Sequence, residues 1–395
     1  MASISKYETK KGTRWMIKIE LGIDPMTGRR KSTTKRGFLT QRDAKREVAK
    51  MHTDIENGKY LKQEKIMFSD FLDIWFDHYK TGNLKTSTIN NRKTTALPHL
   101  RKYLGQKSIN KITKQDYEFM LSELTRKGYS FHSIDTTNTV GKMVFRYAQE
   151  KQIIYHNYVQ TIKTPSKPKS HTPIEINKIE EKYLDRQELL HLLDIVKTEG
   201  TLLEYATIMT LSYTGLRIGE LLALQWTDIN FETNTLSVWK TLFRESNTIT
   251  HYELTTPKTI KSTREVAIDD YVLNTLSELL EIQQAIKKQC LHYHDKNFIF
   301  AKLSGDYCGY PEMRHRLGYK LRSFLQTAGI SKNITLHRLR HTHISLLAQA
   351  GVDLTTIQER VGHESSETTT KIYLHVTKEL KQESALKFST LMNQK

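Results

Sequence analysis

The chain has 395 residues and a formal net charge of +18, from 61 Lys and Arg against 43 Asp and Glu. At roughly 100–200 residues per domain this length predicts two or three domains. Its 37% hydrophobic content is low, but 9% aromatic residues argue for folded cores over general disorder. No apolar run approaches the roughly 18 residues of a membrane span, and the opening MASISKYETKKGTRW lacks the apolar centre of a signal peptide, so a cytoplasmic protein without a membrane partner is expected. Two cysteines, Cys290 and Cys308, cannot build a disulfide framework or a four-cysteine zinc site.

The charge is unevenly spread: residues 1–63 carry a net +9, residues 64–163 a net +7 and residues 164–395 only +2. A basic region joined to a nearly neutral one fits a part that grips nucleic acid attached to a part with another task. Charge kept for solubility alone does not require such asymmetry.

In chain order, Arg14–Leu21 alternates Trp15, Ile17, Ile19 and Leu21 with other side chains, as a half-buried strand does. The DPMTG stretch at 24–28 is a turn, and Arg29–Phe38 is a second strand rich in Thr and basic residues. Thr40, with Asp43 three residues on, predicts an N-cap for a helix running to about Gly58. Arg29, Arg30, Lys31, Lys35 and Arg36 would make the sheet a basic ribbon suited to a groove of duplex DNA. From Met67 to Lys163 the pattern is helical. Phe68, Phe71, Leu72, Trp75, Phe76 and Tyr79 form an aromatic stripe best read as core, and further helices are expected after Thr86, over Lys114–Arg126 and over Ile134–Gln149. Lys85, Arg92 and Lys93, with Lys111, Lys142 and Arg146, are candidate phosphate contacts of this segment if it binds DNA. Residues 164–182, with Pro165, Pro168 and Pro173, read as a linker. A larger, mainly helical domain follows, with short strands expected at Thr235–Phe243, Thr248–Thr256 and Thr263–Ile268.

Four places in this last domain hold polar residues that a core pattern does not call for. In TGLRIGELL (214–222), Arg217 lies among apolar neighbours and so needs an anion, whether a ligand or simply Glu220. In LHRLRHTH (336–343), His337 and Arg340 share a helix face, with His341 one turn from His337. The His337/His341 spacing would also suit two zinc ligands, but the Glu of an HExxH arrangement is missing and Arg340 would repel a cation; donors of this kind suit a phosphate better, and no metal is assigned. The third place is VGH at 361–363, and the fourth is Tyr373, ten residues beyond His363. Each is weak alone.

Taken in order, TGLRIGE, HRLRHTH, VGH and the following tyrosine resemble the tyrosine recombinase family of phage and transposon integrases, over roughly residues 183–395. Arg338 and Val361 depart from the residues usual at their positions, Asp and Leu, without touching the site. The resemblance implies a multidomain α+β protein. A three-stranded sheet with one helix (1–63) would bind arm-site DNA and an all-helical domain (64–163) core-site DNA; after the 164–182 linker, a mainly helical catalytic domain with a small antiparallel sheet would span 183–395. It further implies that Arg217, His337, Arg340 and His363 surround the phosphate, that Tyr373 is the nucleophile and that Lys258, or else Lys261, is the hairpin lysine. The implied activity is integration and excision of a mobile element through a covalent 3′-phosphotyrosine, with no cofactor and no ATP. The implied assembly is a homotetramer on double-stranded DNA in the bacterial cytoplasm, with a DNA-bending accessory protein and an excisionase as further partners. Leu380, Leu386, Phe388 and Leu391 would dock on a neighbouring protomer or on their own domain. A noncatalytic DNA-binding regulator on the same fold is the alternative, against which the complete set of site residues argues. A metal-dependent enzyme and a type IB topoisomerase are more distant ones.

Overall fold

In the computed structural model, the described residues are 2–9, 12–23, 30–56, 66–165, 181–246, 248–256, 263–362, 367 and 369–377. Contacts divide the chain into two compact units, Met1–Lys169 and Ser170–Lys395.

The first unit begins with an antiparallel sheet in the order β1 (Ala2–Thr9), β2 (Gly12–Ile23), β3 (Arg30–Phe38), followed by α1 (Gln41–Glu56). The alternation in β2 does what period two dictates: Ile17 and Ile19 are buried, with Ala44 and Met51 of α1 in the same cluster, while Lys18 and Glu20 face outward. Trp15 pairs with Phe38 and Met16 with Arg36, so Gly37 is the extra residue of a bulge, and its φ of +100° suits a residue without a Cβ. Thr40 caps α1 as expected, accepting from the Asp43 N–H at 3.1 Å.

The helical module contains α2 (Phe68–Lys80), α3 (Thr86–Asn91), α4 (Leu97–Leu104), α5 (Lys114–Arg126) and α6 (Phe131–Glu150). A π-helical turn over Arg92–Ala96 joins α3 to α4, just ahead of Pro98, which has no N–H to give. The aromatic stripe of α2 is core: Phe68, Phe71, Leu72, Trp75 and Phe76 are all buried. Tyr117 of α5 is buried beneath α6, where Gly141 makes room for it; a Cβ at Gly141 would stand 2.0 Å from the Tyr117 hydroxyl oxygen.

The second unit packs α7 (Arg186–Glu199), α8 (Leu202–Thr214), α9 (Ile218–Ala223), α10 (Asp270–Gln289), α11 (Arg314–Thr327), α12 (Leu336–Gln349) and α13 (Leu354–Val361). Capping boxes start α7 at Asp185/Glu188 and α8 at Thr201/Glu204. Helix α8 is apolar on nearly every side and runs through the main core, against α12, α10 and α7. The unit also holds two small antiparallel sheets, in the orders β4-β5-β8 (Ile229–Asn230, Thr235–Val238, Arg264–Ala267) and β6-β7 (Thr241–Phe243, Glu253–Thr255). The single strand expected over 235–243 is thus interrupted. Lys240 turns inward, 4% exposed, to bond Asp228 at 2.7 Å and Gln225 at 2.6 Å, and this breaks the ladder between β5 and β6. The strand expected over 248–256 shortens to its last part, β7. Residues 369–377 are helical and bury Ile372 and Val376 in a satellite cluster with Ile344 and Ala348 of α12 and Ile357 and Val361 of α13.

Candidate active site

Helix α8 ends at Gly215, which has a φ of +65° and lies against α12, so close that a Cβ there would sit 2.6 Å from His343 Cδ2. Two residues later Arg217 opens α9, its backbone N–H donating to Glu220 Oε2 at 3.0 Å and its Nη1 to Glu220 Oε1 at 2.6 Å. The pairing with Glu220 that the sequence offered as the plain explanation for Arg217 is therefore present. Yet Glu220 is shared: Arg264 on β8 donates to its Oε2 at 2.9 Å. Burial pushes this carboxyl up, but Arg264 and Arg217 outweigh it and hold the group below its ordinary range. The Arg217 side chain keeps 37% of its surface exposed, so a second anion can reach it.

Arg340 comes from α12 and is among the largest fully buried side chains, 1% exposed. Its guanidinium donates to the Gly215 carbonyl at 2.7 Å and to the Val361 carbonyl. Arg217 reaches the adjacent Gly362 carbonyl at 3.4 Å. The TGLR, HRLR and VG segments, distant in sequence, thus meet at one turn. Burial, and then Arg217 nearby, lowers Arg340 to about 9. His337, exposed in the first turn of the same helix, is lowered by desolvation of its ring and then by Arg340, Arg217 and Arg314. A phosphate placed among these groups would relieve all of them.

The remaining histidines of α12 divide by environment. His341 meets His337 edge-on at 5.1 Å between ring centroids and is lowered to about 4 by burial and His337. His343 points the other way: its Nδ1 donates to the Ser212 carbonyl at 2.9 Å, its Nε2 accepts from Arg360 at 3.1 Å, and burial followed by Arg360 brings it down to about 3. It is a neutral packing residue behind the site. Among the described residues no group of three His, Cys, Asp or Glu could hold a metal, and the cations around His337 disfavour one on electrostatic grounds.

Tyr373 lies on the helical stretch 369–377, half-buried, and packs on the satellite cluster alongside Leu347 and Val352. Its helix therefore rests on the two helices that supply Arg340 and the 361–362 turn. His363, Lys258 and Lys261 lie outside the described residues, as do Leu380, Leu386, Phe388 and Leu391 of the tail. A groove of about 1240 Å³ runs up to His337 and Gly219 and is lined with Arg244, Arg314, Arg322 and Lys332. None of these four basic residues was singled out in the sequence, since they are scattered over 89 positions with no shared motif.

The candidate DNA contacts of the first unit sort by their surroundings. Arg30 and Lys31 lie on β3, whereas Arg29 falls outside the described residues. Arg36 is exposed and opposite Met16, on the face away from α1. Lys35 pairs with Ile17 on the helix-covered face and reaches Glu47 of α1 at 2.5 Å, with 42% of its side chain exposed. Lys18 is exposed on the open face. In the helical module Lys85 caps α3 and Lys93 is exposed, but Arg92 is stacked over Tyr79 at 4.8 Å and touches Met143.

Comparison with known proteins agrees with this arrangement. Residues 182–379 match the phage integrase family, residues 4–55 an arm DNA-binding domain and residues 67–124 the SAM-like N-terminal domain of phage integrases. An integrase of Staphylococcus phage L54a is 29% identical over 87% of this chain and 98% of its own length. The ICEBs1 integrase of Bacillus subtilis (strain 168) is 27% identical over 99% of this chain and all of its own. The fold is that of the Tn1549 transposon integrase, seen with transposon right end DNA, at a TM-score of 0.60 and 22% identity over 81% of this chain and all of that one. It is likewise that of lambda integrase, at a TM-score of 0.57 and 17% identity over 93% of this chain and 94% of that one. With a family match across half its length, on the domain in which both arginines and Tyr373 fall, the chain belongs to the phage integrase family and is a site-specific tyrosine recombinase acting on DNA.

Proposed function

We propose that the protein integrates and excises a mobile element, with Arg217, Lys258, His337, Arg340, His363 and Tyr373 as its catalytic residues. The observation that carries the assignment is the convergence of Arg217 and Arg340, from separate helices, on the carbonyls of the 361–362 turn directly before His363. Two planar forks at one point can hold the nonbridging oxygens of a phosphodiester and stabilise the charge that grows on them. Loss of one such donor costs on the order of a hundred- to a thousandfold in rate.

The Tyr373 oxygen attacks phosphorus as its proton leaves, favoured by the neighbouring cations and passed through His337 or His363. The bond from phosphorus to the 5′ oxygen breaks, and Lys258 donates the proton that turns this oxygen into a hydroxyl. The phosphotyrosine conserves the energy of the broken bond, so the 5′-hydroxyl of another strand can reverse the step without ATP. Exchange between two duplexes needs four such sites, hence a tetramer on DNA. The sheet module holds arm sites and the helical module core sites; tethering the two raises the effective concentration of one for the other. The reaction takes place on DNA in the bacterial cytoplasm, with a DNA-bending protein and an excisionase setting its direction.

The test is trapping. The parent and Tyr373→Phe are incubated with a nicked core-site duplex in EDTA and run on a denaturing gel. A covalent band from the parent alone is expected. Bands from both would assign the nucleophile elsewhere, and binding without a band from either would favour a DNA-binding regulator. Deleting residues 1–63 should spare this cleavage and impair integration; undiminished integration would refute the arm-site role.

A further inference from the structure

Arg264 belongs to none of the motifs that define the site, yet it touches most of its parts. It lies at the first position of β8, directly after the segment that carries Lys258 and Lys261, and its side chain is 7% exposed. One end donates to Glu220 Oε2 at 2.9 Å, on the carboxylate that also holds Arg217 by its backbone N–H and its Nη1. Its Nε donates to the Arg360 carbonyl at 2.8 Å, at the end of α13. A Cβ on Gly362 would stand 2.8 Å from Arg264 Nη1, so the turn before His363 is built directly on this guanidinium. Arg360 returns the grip, donating to the Ala267 carbonyl of β8 at 2.9 Å. The two arginines form a reciprocal clasp between β8 and α13.

We propose that Arg264 is a positioning residue for DNA cleavage: it fixes Arg217 through Glu220 and the 361–362 turn through α13, so that the first arginine, β8 and that turn move as one body. The inference rests on the catalytic assignment above.

Charge supports it. With two arginines on one carboxylate, Glu220 orients Arg217 without neutralising the site. The groups facing Glu220 are Arg217 at the start of its own helix, Arg264 from β8, and Arg340 and His337 from α12. Without Arg264, burial of Glu220 is opposed mainly by Arg217, and its protonation moves toward neutral pH. A protonated Glu220 holds Arg217 poorly, so cleavage should acquire a new acid limb.

The experiment measures single-turnover cleavage of the nicked core-site duplex from pH 5 to 9, alongside duplex affinity and thermal unfolding, for the full-length parent, Arg264→Gln, Arg264→Lys and Arg217→Ala. Arg264→Gln is expected to bind the duplex within about twofold of the parent and to cleave on the order of a hundredfold more slowly at neutral pH, with part of the loss recovered as pH rises. Arg264→Lys keeps a cation beside Glu220 but cannot reach Glu220 and the Arg360 carbonyl together; it should be slow at every pH without the new acid limb. A folded Arg264→Gln that cleaves like the parent across the range would overturn the proposal. If Arg264→Gln does not fold, Arg264→Lys decides alone: a parental rate overturns the proposal, and a slow rate with a parental pH profile supports it. Arg217→Ala separates the two layers of inference, since active Arg217→Ala would remove the catalytic assignment itself, whereas inactive Arg217→Ala beside fully active Arg264 variants would remove only the role of Arg264.

Discussion

Gly215 and Gly329 share a φ of +65° but differ in what surrounds them, which makes them a matched pair. Alanine at Gly329 meets nothing within 4 Å, so Gly329→Ala carries only the backbone cost of a left-handed residue, about 1 kcal/mol. At Gly215 the same methyl would lie 2.6 Å from His343 Cδ2 and 3.2 Å from Val361 Cγ1. His343 cannot swing aside without losing its bonds to Ser212 and Arg360. Overpacking of that kind adds about 1–3 kcal/mol, giving about 2–4 kcal/mol for Gly215→Ala. For a unit of this size the difference separates the two unfolding midpoints by several degrees, roughly 2–4 °C per kcal/mol. Function should separate them further. The Gly215 carbonyl accepts from Arg340, so displacing it misplaces that guanidinium and should slow cleavage on the order of a hundredfold, while Gly329→Ala cleaves normally. Parallel thermal melts and single-turnover cleavage of a nicked duplex decide the matter. Equal midpoints for the two variants would refute the steric argument, and a normal rate for a destabilised Gly215→Ala would refute the link to Arg340.

Lys240→Met should destabilise the second unit by about 3–5 kcal/mol, because it leaves Asp228, paired with Lys240 at 2.7 Å and 4% exposed, without its cation; the double variant Lys240→Met/Asp228→Asn should recover much of this in urea unfolding, and no recovery would show that the lysine acts through packing alone. His343 is held down to about 3 and His341 to about 4, against an ordinary value near 6.5. The unfolded chain takes up these protons below pH 6.5 and the fold does not until pH 3–4, so stability is intact above pH 6.5 and falls as pH drops through that window. His343→Gln should remove about one proton from the slope between pH 4 and 6; an unchanged slope would contradict the burial argument. Raising salt should weaken duplex affinity steeply, since the basic excess lies in residues 1–163, but leave the cleavage rate at saturating protein nearly constant, because Glu220 and Arg264 are buried and bound DNA would cover the exposed part of Arg217. A saturated rate that falls in step with affinity would show that screening reaches the site.

Much of this arrangement was legible because it follows from local rules. Thr40 and Asp43 specify a helix start from four residues, and the α2 stripe specifies its buried face from spacing alone. Arg217 stands out because it lies among apolar neighbours, and Arg340 because it shares a helix face with His337. What was not legible depends on contacts between distant segments. Arg264 and Glu220 are 44 positions apart and become partners only once β8 is laid beside α9. Lys240 lies in a stretch that reads as strand, and only the placement of Asp228 turns it inward. The bulge at Gly37 is equally absent from the pattern, because the alternation of residues does not record an inserted one.

The same contrast separates grip from chemistry. Exposed cations on the first unit can draw a polyanion from a distance, but they are mobile and screened, and they cannot hold one phosphate oxygen to a fraction of an ångström. The second unit has little net charge to attract DNA. It spends burial instead, placing Arg340 against backbone carbonyls and sharing one carboxylate between Arg217 and Arg264. A buried cation in an imperfectly neutralised site costs stability, and that cost is tolerable only if an anion arrives to relieve it. If Arg340 holds the phosphate as proposed, the burial that lowers it to about 9 is offset most where the phosphate gains charge as it is attacked.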